Sequence, residues 1–85
     1  EDRMYRTAMP YEFGKKIKYI RTSKHMSLKY VEQLSGVSAA YLNRLEEGKS
    51  RSPALPIIIK LSQAYDMEVI DMLKIALKDY GIINL

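Results

Sequence analysis

The apolar residues of this chain recur every three or four positions, which is the period of an α-helix rather than a β-strand. Phe13, Ile17 and Ile20 are spaced to share one face, and lysines occupy positions between them. Pro10 stands just before this stretch, where a proline suits the first turn of a helix. The pattern predicts an amphipathic first helix that ends near His25.

A second, short helix is predicted to begin at Ser27, whose hydroxyl can cap its first turn. Its inward side chains would be Leu28 or Val31 together with Leu34. Gly36 follows, and glycine readily adopts the left-handed conformation that ends a helix. We therefore expect a second helix of barely two turns.

A third helix is predicted to start at Ser38, shortly after Gly36, with Leu42 and Leu45 on its buried side. Gly48 would end it in the same way as Gly36 ends the second helix. Because the connection between these two helices is so short, we expect them to cross steeply rather than lie antiparallel.

Two further helices complete the pattern. Pro53 and Pro56 bracket the start of a fourth, since a proline in the first turn removes no hydrogen bond that the helix needs. Its buried stripe is predicted to comprise Leu55, Ile58, Leu61 and Tyr65. The fifth helix is predicted over about residues 68–80, with the inward side chains Val69, Met72, Leu73 and Leu77.

Length and composition limit the domain organisation. A chain of 85 residues that is 47% hydrophobic and has no cysteine can bury one modest core, without disulfides or thiolate metal sites. We expect one domain over residues 11–80, preceded by a tail or cloning remnant at 1–10 and followed by a C-terminal tail at 81–85. The end of the chain would form a dimer contact, lead into a further protein or effector domain, or fold over the core. Its apolar residues are Tyr80, Ile82, Ile83 and Leu85.

The charge of +4 is unevenly distributed along the chain. Up to Arg51 there are eleven Lys or Arg against six Asp or Glu, a net +5, and from Ser52 onward three against four, a net −1. A positive charge confined to one part of a domain indicates a polyanionic partner.

Other function classes lack their chemistry in this sequence. No apolar run approaches the roughly 18 to 20 residues that span a bilayer, so we expect no membrane partner and a soluble, cytoplasmic protein. The chain has one histidine, His25, no cysteine and no glycine-rich phosphate loop. We therefore predict neither an enzyme nor a metal or cofactor site.

A helix, a tight glycine-containing turn and a second helix with an exposed polar face can place that second helix in the major groove. Three segments, in order, carry a specific resemblance: "MSLKYVEQLSGVS" at 26–38, "YLNRLEEGKSRSP" at 41–53 and "LSQAYDMEVIDML" at 61–73. Together they resemble the helix-turn-helix DNA-binding domain of Cro and phage repressors and their Xre-like bacterial relatives. The resemblance implies an all-α, compact five-helix, lambda-repressor-like fold in which helices 2 and 3 form the helix-turn-helix.

The same resemblance implies which residues touch DNA. With residues 38–47 as the recognition helix, the base-reading positions are Ala39, Ala40, Asn43 and Arg44. The alanines permit close approach to a thymine methyl, whereas arginine with guanine and asparagine with adenine are the natural hydrogen-bonded pairs. The implied phosphate contacts are Ser27, Leu28, Lys29, Ser38, Tyr41, Lys49, Ser50 and Arg51. Arg21 and Glu46 match the positions of a structural ion pair between the first and third helices.

Two positions in helix 2 depart from the family pattern. Relatives often carry a phosphate-contacting Gln where this chain has Leu28, so the contact would come from Lys29 or from the backbone alone. Glu32 replaces the usual small alanine. Either the two helices lie slightly farther apart, or the Glu32 carboxylate reaches outward. These two departures affect the expected docking angle and not the fold. Asp66 stands where relatives usually have a glycine after the fourth helix, and aspartate can adopt the left-handed conformation there at some cost.

The predicted function is sequence-specific binding of double-stranded DNA by a bacterial or phage-encoded transcriptional regulator, as a homodimer on a palindromic operator. The alternative is a helical protein-interaction adaptor or antitoxin-like module that uses the same exposed face. Ala39, Ala40 and Tyr41 would suit a partly apolar protein contact. The basic loop at Lys49 and Arg51 favours DNA.

Overall fold

The computed structural model describes residues 11–79, and within this part of the chain the regular structure consists of five α-helices. They are α1 (Glu12–Ser23), α2 (Leu28–Ser35), α3 (Ala39–Glu46), α4 (Leu55–Ala64) and α5 (Val69–Asp79). No strand occurs over the same residues, and the predicted all-α, five-helix fold is confirmed. The predicted tails, Pro10 and the apolar residues from Tyr80 onward lie outside the described residues.

Local chemistry accounts for most of the helix ends. Ser27 and Ser38 precede α2 and α3, and each side chain accepts a hydrogen bond from the backbone N–H three residues later. Gly36 and Gly48 have φ angles of 81° and 78°, and Asp66 has a φ of 56°. All three residues therefore adopt the predicted left-handed conformation.

The end of α1 is formed without a glycine. The helix stops at Ser23, close to the predicted end near His25. His25 itself has a φ of 59°, in the left-handed region, where histidine is one of the few non-glycine residues that are enriched. The N–H of Met26 then donates to the carbonyl of Arg21 over 3.1 Å, which turns the chain towards α2.

The buried core draws on all five helices. α1 packs against α3 and α5, α2 packs against α3 and α4, and α4 packs against α5. Burial of each large apolar side chain contributes on the order of 1.5 to 3 kcal/mol, so this core holds α2 and α3 in a fixed relation. Its members are Phe13, Ile17, Val31, Val37, Leu42, Leu45, Ile58, Leu61, Tyr65, Met72 and Ala76. Across residues 11–79, no helix has both the length and the apolar character to cross a membrane.

Two residues predicted to face the core are exposed. The side chain of Leu34 is 49% exposed, because the inward face of α2 runs through Val31 and the half-buried Ser35. Leu55 is 53% exposed. It is the first residue of α4 and lies one turn before Ile58, the first buried side chain of that helix.

The inward face of α5 also differs slightly from its prediction. Met72 is fully buried as expected, but Val69, Leu73 and Leu77 are only half-buried. Ala76, four residues after Met72, is buried in their place. A small side chain at this point allows α5 to approach its neighbours closely.

Candidate nucleic-acid interface

Residues 36–38 connect α2 to α3, and each of these two helices begins with a serine cap. The Ser27 hydroxyl accepts from the N–H of Tyr30 over 3.0 Å, which caps α2. The Ser38 hydroxyl accepts from the N–H of Tyr41 over 3.1 Å, which caps α3. Each cap contributes typically about 1 kcal/mol, so the start of each helix is well defined.

Ser35 holds the turn from the inside. Its hydroxyl donates to the carbonyl of Val31 over 2.7 Å and accepts the N–H of Val37 over 3.0 Å. The N–H of Gly36 donates to the carbonyl of Glu32, and the side chain of Val37 is buried in the core. The turn is therefore attached to the core and cannot change its angle without breaking these contacts.

The outer face of α3 carries three of the four predicted base-reading residues. Ala40, Asn43 and Arg44 are exposed, Ala39 is half-buried, and Leu42 and Leu45 on the opposite face are fully buried. The Arg44 guanidinium carbon lies 5.7 Å from the centre of the Tyr41 ring, within cation–π range. The helix thus presents an amide and an oriented guanidinium beside a small-residue surface.

The predicted phosphate contacts on α2 differ in what they offer. Ser27 and Lys29 are exposed, whereas Leu28 packs against the core. Leu28 therefore has only its backbone N–H to offer, one of the first-turn donors that lack an intrahelical acceptor. The Glu32 carboxylate lies 3.4 Å from the Lys29 ammonium on the surface. Of the two alternatives for Glu32, the structure shows the outward one.

The loop after α3 is organised by hydrogen bonds to the end of that helix. The N–H groups of Lys49 and Ser50 both donate to the carbonyl of Arg44, over 2.9 and 3.1 Å. The Arg51 Nε donates to the carbonyl of Gly48 over 3.0 Å. Lys49 and Arg51 are exposed and Ser50 is half-buried, so both cations lie beside the recognition helix.

The residue before α1 also contacts this loop. The Tyr11 hydroxyl donates to the carbonyl of Ser50 over 3.1 Å. The Arg51 guanidinium carbon lies 5.0 Å from the centre of the Tyr11 ring. The loop is therefore attached to the start of α1 as well as to α3.

Arg21 and Glu46, which the sequence analysis pairs, are in direct contact. The Arg21 Nε and Nη2 donate to the two Glu46 carboxylate oxygens over 2.7 and 2.9 Å, and the Nη1 donates to the carbonyl of Met26 over 2.8 Å. The Glu46 side chain is only 1% exposed. The hydrogen bonds that Arg21 donates to Glu46 raise the pKa of Arg21 above its ordinary value, so the guanidinium stays charged. One residue thus joins α1, the turn after it and the end of α3.

The sequence comparison identifies the arrangement. A family model described as helix-turn-helix matches residues 17–71, more than half of the chain. The chain belongs to the helix-turn-helix family. The matching family is that of Cro and phage repressors, so this is a DNA-binding domain of the kind that transcription regulators carry. Comparison with curated proteins and with solved structures gave no match.

The hydrogen bonds that Ser35, Tyr11 and Asp79 make in this helix-turn-helix domain were not predicted from the sequence. Ser35 carried a weak local signal, a serine directly before the glycine that ends α2. Tyr11 and Asp79 carried none, because their contacts join residues 39 and 66 or 67 positions apart. Both also lie outside the matched residues 17–71. Within the described part of the chain, no three His, Cys, Asp or Glu side chains are grouped as metal ligands would be.

Proposed function

We propose that this helix-turn-helix domain binds double-stranded DNA sequence-specifically as part of a transcriptional regulator, with residues 38–47 in the major groove. One observation carries the proposal. The exposed face of α3 places Asn43 and Arg44 beside the exposed cations Lys49 and Arg51, on a helix whose opposite face is locked into the core. Such a surface combines groups that read bases with groups that bind phosphates.

Base reading is assigned to the four predicted positions on α3. Arg44 is suited to guanine and Asn43 to adenine, and each bidentate pair supplies about 1 to 3 kcal/mol of discrimination. The contact between Arg44 and the Tyr41 ring restricts the guanidinium before DNA binds, which supports this role. Ala40 and the half-buried Ala39 allow the helix to approach the base edges closely.

Phosphate contacts are assigned to both sides of the recognition helix. On one side the N-terminus of α2 offers the N–H groups of Leu28 and Lys29, the Ser27 hydroxyl and the Lys29 ammonium, in a position that the helix dipole makes favourable for an anion. On the other side the loop offers Lys49, Ser50 and Arg51. Ser38 and Tyr41, at the start of α3, complete the predicted set. These contacts hold the domain on the duplex without reading sequence.

We also propose that two copies bind a palindromic operator, with half-sites about one turn of DNA apart. A two-fold pair of domains matches the symmetry of such a site. The exposed apolar side chain of Leu55, which follows the phosphate-contacting loop in the chain, is consistent with a protein contact near the DNA. A bacterial or phage-encoded regulator of this type would work in the cytoplasm.

The test is selection of bound sites from random duplexes, followed by titration of the selected site. We expect a palindromic consensus and an affinity that falls steeply with salt. Arg44→Ala should relax the sequence preference at one position, whereas Arg51→Ala should weaken all sequences alike. Lys74→Ala, which removes an exposed charge on α5, is the matched control and should change neither. A domain that shows no salt-dependent binding but retains a protein partner would favour the adaptor function instead.

A further inference from the structure

Tyr11 joins the start of α1 to the loop after the recognition helix. It stands at the N-cap position of α1, where its side chain makes no capping hydrogen bond, and packs against the hydrophobic core. Its ring and hydroxyl reach residues 48–51 instead. Because the half-buried Tyr11 side chain does not cap α1, its contacts with the loop indicate a different role.

Three contacts join the Tyr11 side chain to this loop. The hydroxyl donates to the carbonyl of Ser50, and the ring lies under the Arg51 guanidinium. The ring is also close to Gly48, since a Cβ atom there would lie 3.4 Å from the Tyr11 Cδ2. Tyr11 therefore contacts the loop at Gly48, at the Ser50 carbonyl and at the Arg51 guanidinium.

Gly14 provides the space for this ring. A Cβ atom at Gly14 would lie 2.5 Å from the Tyr11 Cε2 and would also collide with the carbonyl oxygens of Leu45 and Glu46. Gly14 lies inside α1, and its φ is not among the positive ones. The missing side chain thus serves close packing and not backbone conformation. It brings α1 close to the end of α3 and leaves room for Tyr11 over the loop.

The contact restricts Arg51 in a way that suits phosphate binding. Its Nε is occupied by the carbonyl of Gly48, and the face of its guanidinium by the Tyr11 ring. A guanidinium has five N–H donors, so four remain for an anion. A long side chain that is already ordered loses less conformational entropy when it binds.

We propose that Tyr11 is the positioning residue of the phosphate-contacting loop: it orients Arg51 and holds the backbone at Ser50 before DNA arrives. The proposal rests on the proposed DNA-binding function of the same surface. Tyr11 need not touch the duplex itself. The larger part of its effect passes through Arg51, so the coupling between the two residues is the decisive measurement.

The experiment is a double-mutant cycle for binding of the full chain to its selected duplex, with Tyr11→Leu, Arg51→Ala and the pair. We expect Tyr11→Leu to lower affinity about ten-fold, and Tyr11→Phe, which keeps the ring but loses the hydroxyl, about three-fold. Each of these two losses of affinity should be the same for every duplex sequence tested. In the Arg51→Ala background, Tyr11→Leu should cost only the part that the hydroxyl bond to Ser50 supplies, about three-fold instead of ten-fold. Tyr19→Leu, at a 67% exposed tyrosine of the same helix, is the control and should leave affinity unchanged.

A second measurement tests positioning without DNA. ¹⁵N relaxation of the free domain should show that Tyr11→Leu increases the mobility of residues 48–51 and of the Arg51 side chain, while residues 28–46 stay as rigid as before. Additive effects in the cycle, or an unchanged loop in the relaxation data, would overturn the role of Tyr11 and leave DNA binding intact. A wild-type chain that fails to bind duplex DNA would overturn the proposed function itself, whatever the relaxation data show.

Discussion

At the scale of single residues, the least expected group is the hydroxyl of Tyr65. The side chain is fully buried, and its oxygen has no hydrogen-bond partner among the described residues. Burial raises the pKa of the phenol well above its ordinary value, the Glu46 carboxylate raises it further, and Arg21 opposes that increase. Burial of the Tyr65 ring therefore stabilises the core, and this gain offsets the free-energy cost of burying an unpaired hydroxyl.

Removing this hydroxyl should not weaken the fold. We predict that Tyr65→Phe leaves the free energy of unfolding at pH 7 unchanged or raises it by up to about 1 kcal/mol, because an unsatisfied polar atom is lost. The raised pKa adds a dependence on pH. Because the folded state resists ionisation of Tyr65, the protonated phenol contributes to the free energy of unfolding. This contribution is fully present below a pH of about 10 and is lost as the pH rises above it. Urea titrations from pH 8 to 11 should therefore show a smaller alkaline loss for Tyr65→Phe than for wild type, and equal losses would contradict the prediction.

At the scale of the helices, the position of α3 depends on how closely α1 approaches it. Gly14 faces the backbone carbonyls of Leu45 and Glu46, and the bidentate pair of Arg21 and Glu46 lies two turns further along α1. A carbonyl of the helix backbone cannot move aside as a side chain can. The recognition helix is therefore positioned by contacts on its inner face, away from the residues proposed to bind DNA.

Gly14→Ala tests this close approach. Alanine is the better helix former by about 1 kcal/mol, but its Cβ would lie 2.9 Å from the Glu46 carbonyl oxygen and nearer still to that of Leu45. Overpacking against backbone should dominate, and we predict a net loss of about 2 kcal/mol in the free energy of unfolding. Lys15→Ala, at the next and exposed position, is the control and should be neutral. A stabilising Gly14→Ala would show that α1 and α3 are not in close contact.

A second contact between helices caps the N-terminus of α1. The Asp79 carboxylate, at the end of α5, accepts the backbone N–H groups of Glu12 and Phe13, each over 2.8 Å. This cap comes from another helix and not from the residue before α1. We predict that Asp79→Ala costs about 1 to 2 kcal/mol of stability in denaturant titrations and that Asp79→Asn costs roughly half as much. Hydrogen exchange should locate the change in the first turn of α1, and unaltered protection there would argue against the cap.

At the scale of the whole molecule, only part of the basic charge lies near the proposed interface. Lys29, Lys49 and Arg51 are exposed around α2 and the loop after α3. Lys15 and Lys16 instead line a groove between α1 and α5, together with Lys78. The 14 lysines and arginines of the chain therefore overstate the number of cations available to phosphates at the proposed interface.

The salt dependence of DNA binding should reveal this division. Each cation that neutralises a phosphate contributes about 0.9 to the slope of log K against log salt. We predict that Lys29→Ala and Lys49→Ala each lower the slope by about this amount, while Lys15→Ala and Lys16→Ala leave it unchanged. The measurement is a fluorescence titration of each variant over a series of salt concentrations. Equal effects at all four positions would mean that the duplex also covers the groove.

The sequence by itself determined the features that depend on neighbouring residues. Helix periodicity, the serine caps at Ser27 and Ser38 and the left-handed residues Gly36 and Gly48 all follow from chemistry within about four positions of the chain. The helix-turn-helix and the residues on its outer face could therefore be predicted, because one short turn and one amphipathic pattern specify them.

Only the tertiary structure decided which distant groups meet. The exposure of Leu34 and Leu55, the cap from Asp79 and the contacts of Tyr11 depend on how the helices pack, and no local pattern encodes them. Residues separated by 39 or 66 positions come together only when the intervening helices have packed into the core. Neighbouring residues in the sequence therefore determine which side chains lie on the recognition surface. The packing of distant helices determines how those side chains are positioned.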